Sequence, residues 1–211
     1  AFALAGLVVF AVMAVAGLVF FSGSLGVSAL RGQAASVANL GYMGPPLMVA
    51  LLGEAAAVPV ILGLTVDVMI MFPLTIALLE VNRRQGGGGW AMARNLLRSM
   101  IVNPFSLSIL AGISVSALQI ALPGPVDVLA KLLTGAAAPC GMFALGATLA
   151  SRPVSSGLGQ VAFMSAGKLF LHPLAMWAVM TFLFDFDPLW VVVAVLAAAL
   201  PVAGNVFTIA R

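Results

Sequence analysis

Three side chains that could carry charge or a proton fall deep inside apolar runs: Asp67, Lys168 and His172. An ionised group at that depth costs roughly 2.5 to 3.5 kcal/mol on insertion scales, so each needs a partner, water or a task. Asp67 and Lys168 could brace crossing helices as an ion pair, or they could set the charge of a site for an anion and its coupling ion. His172 follows Lys168 on the same helical face. Its imidazole could relay protons, or it could satisfy a carbonyl that Pro173 leaves without a partner. Two asparagines stand beside breaks in apolar sequence: Asn39 precedes Gly44, Pro45 and Pro46, and Asn205 follows Pro201 and Gly204. An amide side chain both donates and accepts, so it can bind a carboxylate or replace lost backbone partners. Asn103 precedes Pro104, where a helix-start role suffices. The candidate binding residues are therefore Asn39, Gly44, Pro45, Pro46, Asp67, Lys168, Pro201, Gly204 and Asn205, with Asn103 and His172 secondary.

Membrane helices must position these residues. Hydrophobic residues make up 63% of the 211 positions and charged ones 7%, with a mean hydropathy of +1.21. No soluble domain carries so little charge. The apolar runs are about 18 to 25 residues long without strand-like alternation, which predicts an all-α polytopic bundle and excludes an outer-membrane barrel. Spans are expected at 1–21, 34–52, 57–80, 100–122, 127–150, 158–184 and 188–210. Loops holding Arg31, Arg83, Arg84, Arg94, Arg98, Arg152 and Arg211 alternate with loops holding Glu54, Asp127, Asp185 and Asp187. The positive-inside bias places the arginine side in the cytoplasm and Ala1 outside.

The prolines of 34–52 and 188–210 lack an N–H and clash with the preceding turn, so each span is expected to be broken. Broken backbone survives in a bilayer only where protein or a water-filled cavity satisfies it, and transporters build midplane sites that way. Freed amides and half-helix N-termini there would favour an anion. A Pro-kinked packing helix is the structural alternative, as is a role for both asparagines in merely patching the breaks. Residues 82–99, basic and containing Gly86 to Gly89, read as a cytoplasmic linker between two halves. These are 1–81, three helices of a first repeat, and 100–211, four helices of a second. With equal halves and the crossing helix fourth in each, ten spans are expected in all, two before Ala1 and one after Arg211. The missing initiator Met and the apolar start fit that expectation.

Other chemistries lack their residues. One cysteine, Cys140, and one histidine make no typical metal site or internal disulfide, so no metal is expected. Gly167-Lys168 is followed by Leu169, so there is no phosphate loop, and pumping must be driven by a gradient. A net charge of +3, scattered over short loops, argues against nucleic acid.

Five motifs occur in order: N-L-G-Y-M-G-P-P-L (39–47), N-P-F-S-L-S-I-L-A-G (103–112), P-C-G-M-F-A-L-G (139–146), K-L-F-L-H-P (168–173) and A-L-P-V-A-G-N (199–205). Together they resemble the auxin efflux carrier family, which includes plant PIN-type carriers and bacterial malonate or auxin efflux carriers. The short central loop looks closest to the bacterial branch, and Pro45 departs from a more usual single proline. The resemblance implies an inverted-repeat secondary transporter of elevator type in a bacterial inner membrane. Its implied substrates are small organic anions, with H+ or Na+ as coupling ion, no other cofactor, and a homodimer allowed. It also implies that Asp67 stands beside the site. An anion channel and a sodium-coupled bile-acid-type symporter remain alternatives. An intramembrane enzyme is disfavoured because Asp67 is the sole deep acid and no serine has a nearby base.

Overall fold

A computed structural model describes residues 1–83, 94, 104–151 and 157–204. Among them four helical stretches are long and apolar enough to cross a membrane: Phe2–Phe20, Glu54–Leu79, Gly124–Thr148 and Leu158–Leu183. They match the first, third, fifth and sixth expected spans. The elements are α1 (Phe2–Phe20), α2 (Leu25–Ser36), α3 (Gly44–Leu52), α4 (Ala57–Val66), α5 (Phe72–Arg83), α6 (Pro104–Ala117), α7 (Gly124–Ala150), α8 (Leu158–Ala166), α9 (His172–Ala178) and α10 (Pro188–Ala199).

The expected span 34–52 needs correction. It is two helices, α2 and α3, joined by a short extended piece at 37–39 and a turn over 40–43, and α2 already starts at Leu25, where Ser24 accepts from the Val27 N–H. Arg31 is corrected with it. It is a buried residue of α2 and not a loop charge, with Nη1 donating to the Gly17 carbonyl at 3.0 Å and Nη2 to the Ser22 carbonyl at 3.0 Å and to Gln160 Oε1 at 3.2 Å. These partners close the exposed carbonyl end of α1, so a charge that reads as loop is solvated by backbone instead. The fourth expected span appears as α6, of 14 residues; Asn103 lies outside the described residues.

α1 and α2 pack closely because α2 presents small residues, Ser28, Ala29, Gly32 and Ala35. A Cβ on Gly32 would lie 2.7 Å from the Phe10 carbonyl oxygen. Around this pair, Phe10, Ala29, Val37, Val68, Met71 and Ala203 form one apolar cluster. A second joins Leu40, Met48 and Val60 to Val193 and Ala197, tying α3 and α4 to α10.

Two long helices carry a π-helical turn at the residues singled out by their depth: Asp67–Met71 between α4 and α5, and Gly167–Leu171 between α8 and α9. Each turn is followed by one residue and then a proline, Phe72-Pro73 and His172-Pro173. A proline mid-helix clashes with the carbonyl four residues back, and a locally wider turn relieves that clash without ending the helix.

Candidate functional site

The two breaks meet. α10 stops at Ala199 because Leu200, preceding Pro201, takes an extended conformation (φ −60°, ψ 152°). Beyond α2, Val37 is extended too. The two extended pieces pair as an antiparallel bridge between Ala38 and Val202, and the Asn39 N–H donates to the Pro201 carbonyl at 2.8 Å. One backbone donor and one acceptor left free past these two helix ends are thus satisfied by each other.

Asn39 organises the turn that leads into α3. Its carbonyl accepts from the N–H groups of Met43 (3.1 Å) and Gly44 (3.0 Å), and its Oδ1 from that of Tyr42 (3.3 Å). Pro45 and Pro46 occupy the first turn of α3, where a missing N–H costs nothing. The expectation that amides freed at this break would face an anion is therefore overturned for Tyr42, Met43 and Gly44: Asn39 takes all three. What Asn39 retains is its Nδ2, buried and without a partner. Gly44 packs against Val60 and Leu40, and Pro46 lines an outer groove instead of the cavity between the breaks.

That cavity has a volume of about 120 Å³ and is walled by Val37, Ala38, Asn39, Gly41 and Tyr42 from the first break, Ala203 and Gly204 from the second, and Leu64, Asp67 and Phe72. Asp67 is 7% exposed, and its Oδ2 has no hydrogen-bond partner. Asp67 also lines a smaller space of about 10 Å³, shared with Ser36, Ala38, His172 and Ala198. Lys168 lines neither. Its Nζ lies 2.9 Å from His172 Nδ1, as the shared helical face predicts, and among the described residues no ion pair joins it to Asp67. Asp67, His172, Asn39, Pro201 and Gly204 are brought together, and Lys168 stands one side chain behind. Asn205 lies outside the described residues.

Sequence reasoning missed one residue of the cavity wall, Tyr42, and a buried polar pair that lines neither space. Gln33 and Thr75, both fully buried, are joined through Oε1 and Oγ1 at 2.5 Å, and Gln33 Nε2 has no partner. The depth rule that picked out Asp67 applies equally to uncharged polar groups and would have found them. Tyr42 lines both the cavity and an apolar outer groove of about 380 Å³ that reaches Pro139 and Met142 of α7. Its ring lies over Gly141, where an added Cβ would come within 2.6 Å of Cδ1.

Apolar helices of spanning length, with a mostly apolar cavity where two chain breaks meet and Asn39 and Asp67 in its wall, define a polytopic helical membrane protein. The profile of the family described as "Membrane transport protein" matches residues 88–211. The chain is also 36% identical over 204 residues to a "Putative malonate transporter" of Rhizobium meliloti (strain 1021), an alignment covering 97% of this chain and 64% of that relative. The chain belongs to this membrane transport family, the auxin efflux carriers that its ordered motifs resemble. It spans less than two thirds of the relative's length.

Proposed function

We propose that this chain is part of a secondary active carrier for small organic anions, with its site where the two broken helices meet. The carrying observation is the cavity of about 120 Å³ bounded by both breaks, into whose wall Asn39 brings an unpaired amide donor. A buried space of about 150 Å³ holds a benzene-sized molecule, so this one suits a short carboxylate better than an indole acid. The relative's description as a malonate transporter supports the same class. Repeated design supports an inverted repeat: one helix that gives way to extended chain, at Val37 and at Leu200, and one proline-linked π turn occur on each side of residues 82–99. In this reading 1–81 and 100–211 belong to successive repeats of a ten-helix elevator in a bacterial inner membrane. H+ or Na+ is the coupling ion, and the binding set is Asn39, Asp67, Pro201, Gly204 and Asn205, with Lys168 supplying positive charge from behind.

Solid-supported-membrane currents on the full-length carrier test it, scanning mono- and dicarboxylates at two pH values with and without sodium. Saturable currents for malonate-sized anions, abolished in Asn39→Ala, are expected. A conductance that never saturates would favour a channel instead.

A further inference from the structure

A carrier of anions faces an electrostatic conflict here, because the cavity has a carboxylate in its wall and no lysine, arginine or histidine among its lining residues. Like charges facing one small buried space repel strongly. On the far side of Asp67 lies the second space, about 10 Å³, at the lower limit for one water molecule. We propose that the coupling ion is a proton, held on Asp67 beside this second space and taken up together with the anion. The assignment rests on the carrier function proposed for the chain and names its coupling ion and where that ion sits.

The geometry is that of a built site. Asp67 is buried, with Oδ2 unpartnered, and it forms part of the wall of both spaces. His172 is held by Lys168 at 2.9 Å; an ammonium has only donors, so Nδ1 accepts, and the ring hydrogen on Nε2 is directed to the Ala198 carbonyl. The charged or titratable groups facing the small space are Asp67 from the turn after α4 and His172 at the start of α9, with Lys168 behind the ring and outside the lining. α1 contributes Phe2 and Gly6, α10 contributes Ala197 and Ala198, and α2 contributes Ser36, whose hydroxyl already donates to the Gly32 carbonyl. Arg31, another buried cation of the described residues, is engaged with Gly17, Ser22 and Gln160. A hard metal cation would want about six oxygens; the side chains here offer only those of Asp67 and Ser36. The proton comes from water on the side to which the site is open and returns to water on the other. Asp67 alternates between carboxylate and carboxylic acid. With Asp67 neutral, the repulsion that would exclude the anion is gone.

The test is calorimetric titration of the purified full-length carrier with potassium malonate, in paired buffers of different ionisation heat, across pH, without and with sodium chloride. The wild type is expected to take up about one proton per malonate and to lose affinity about tenfold per pH unit on the alkaline side, by linkage. Asp67→Asn is expected to exchange no proton and to bind with an affinity that ignores pH. Proton uptake that persists in Asp67→Asn overturns the proposal, as does wild-type binding that exchanges no proton or requires sodium. A second measurement needs no substrate: acid-minus-alkaline infrared spectra, in which a carboxylic-acid band absent from Asp67→Asn and shifted by His172→Gln is expected. If the wild type lacks that band, the proton site is wrong even where malonate binds. If the band is present and malonate does not bind, the proton site stands and malonate fails as the substrate.

Discussion

Asn39 performs two tasks with one side chain, and substitution can separate them. Its Oδ1 caps the first turn toward α3, while its Nδ2 has no partner within the protein. Asn39→Ala removes both and is expected to lower stability by about 0.5 to 2 kcal/mol, the range for a lost cap, as well as abolishing substrate currents. Asn39→Asp keeps the cap oxygen but places an acceptor where the donor was. In a detergent thermal shift it should melt below wild type at neutral pH and recover as the pH falls, because a second carboxylate then shares the cavity with Asp67, and it should lose anion binding. Arg31 is the other residue whose environment decides the outcome. Its guanidinium closes three carbonyl-type acceptors in a fork that an ammonium cannot reproduce, so Arg31→Lys should lower the melting temperature in the same assay nearly as much as Arg31→Met. The depth rule found Asp67, Lys168 and His172 because an ion in an apolar run is costly wherever it lies. It misread Arg31, because a charge near the end of a run looks the same whether it faces water or a helix's carbonyl end.

At the scale of elements, apolar run lengths made the continuous helices legible, but they did not reveal where α2 and α10 give way to extended chain. Pro45 and Pro46 drew attention to the first break, yet they sit harmlessly in the first turn of α3 and the chain departs from helix earlier, at Val37. What ends α2 there is pairing with residues more than 160 positions away, through Ala38 and Val202, and no local pattern encodes that. The π turns were legible in principle. A proline soon after Asp67 and another soon after Lys168 each demand relief from a backbone clash, and a wider turn gives it. Pro173→Ala restores the missing N–H and lets Gly167–Leu171 tighten to an α-helix, turning Lys168 relative to His172. The variant should be at least as thermally stable as wild type and yet carry reduced malonate current. Unchanged current would show that the wider turn serves packing alone. Close packing gives a contrasting case: Gly32→Ala pushes a methyl onto the Phe10 carbonyl and should cost about 1 to 3 kcal/mol through overpacking of α1 on α2, read as a lower melting temperature.

For the whole molecule, the question is which side faces the cytoplasm. The charge argument loses one contributor now that Arg31 is buried, but the same residue adds a spatial link. Its contact with Gln160 places the end of α1 and the start of α8 on one side, as the alternation of basic and acidic loops requires. Near the other end of α1, Phe2 packs in a cluster with Phe186 and Trp190, beside the acidic Asp185 and Asp187. The remaining arginines, Arg83, Arg84, Arg94, Arg98, Arg152 and Arg211, then carry the orientation, since basic residues in short loops are retained in the cytoplasm. Single cysteines at Gly87 and Asp185, in a Cys140→Ser background that removes the exposed native thiol, test this directly. Asp185 is preferable to Asp187, whose carboxylate accepts from the Leu189 N–H at 2.8 Å and caps α10. With a membrane-impermeant maleimide on intact cells, Asp185→Cys should react and Gly87→Cys should react only after permeabilisation. Labelling of Gly87→Cys from outside would invert the orientation. It would also reverse which end of the cavity between the breaks is reached from the cytoplasm.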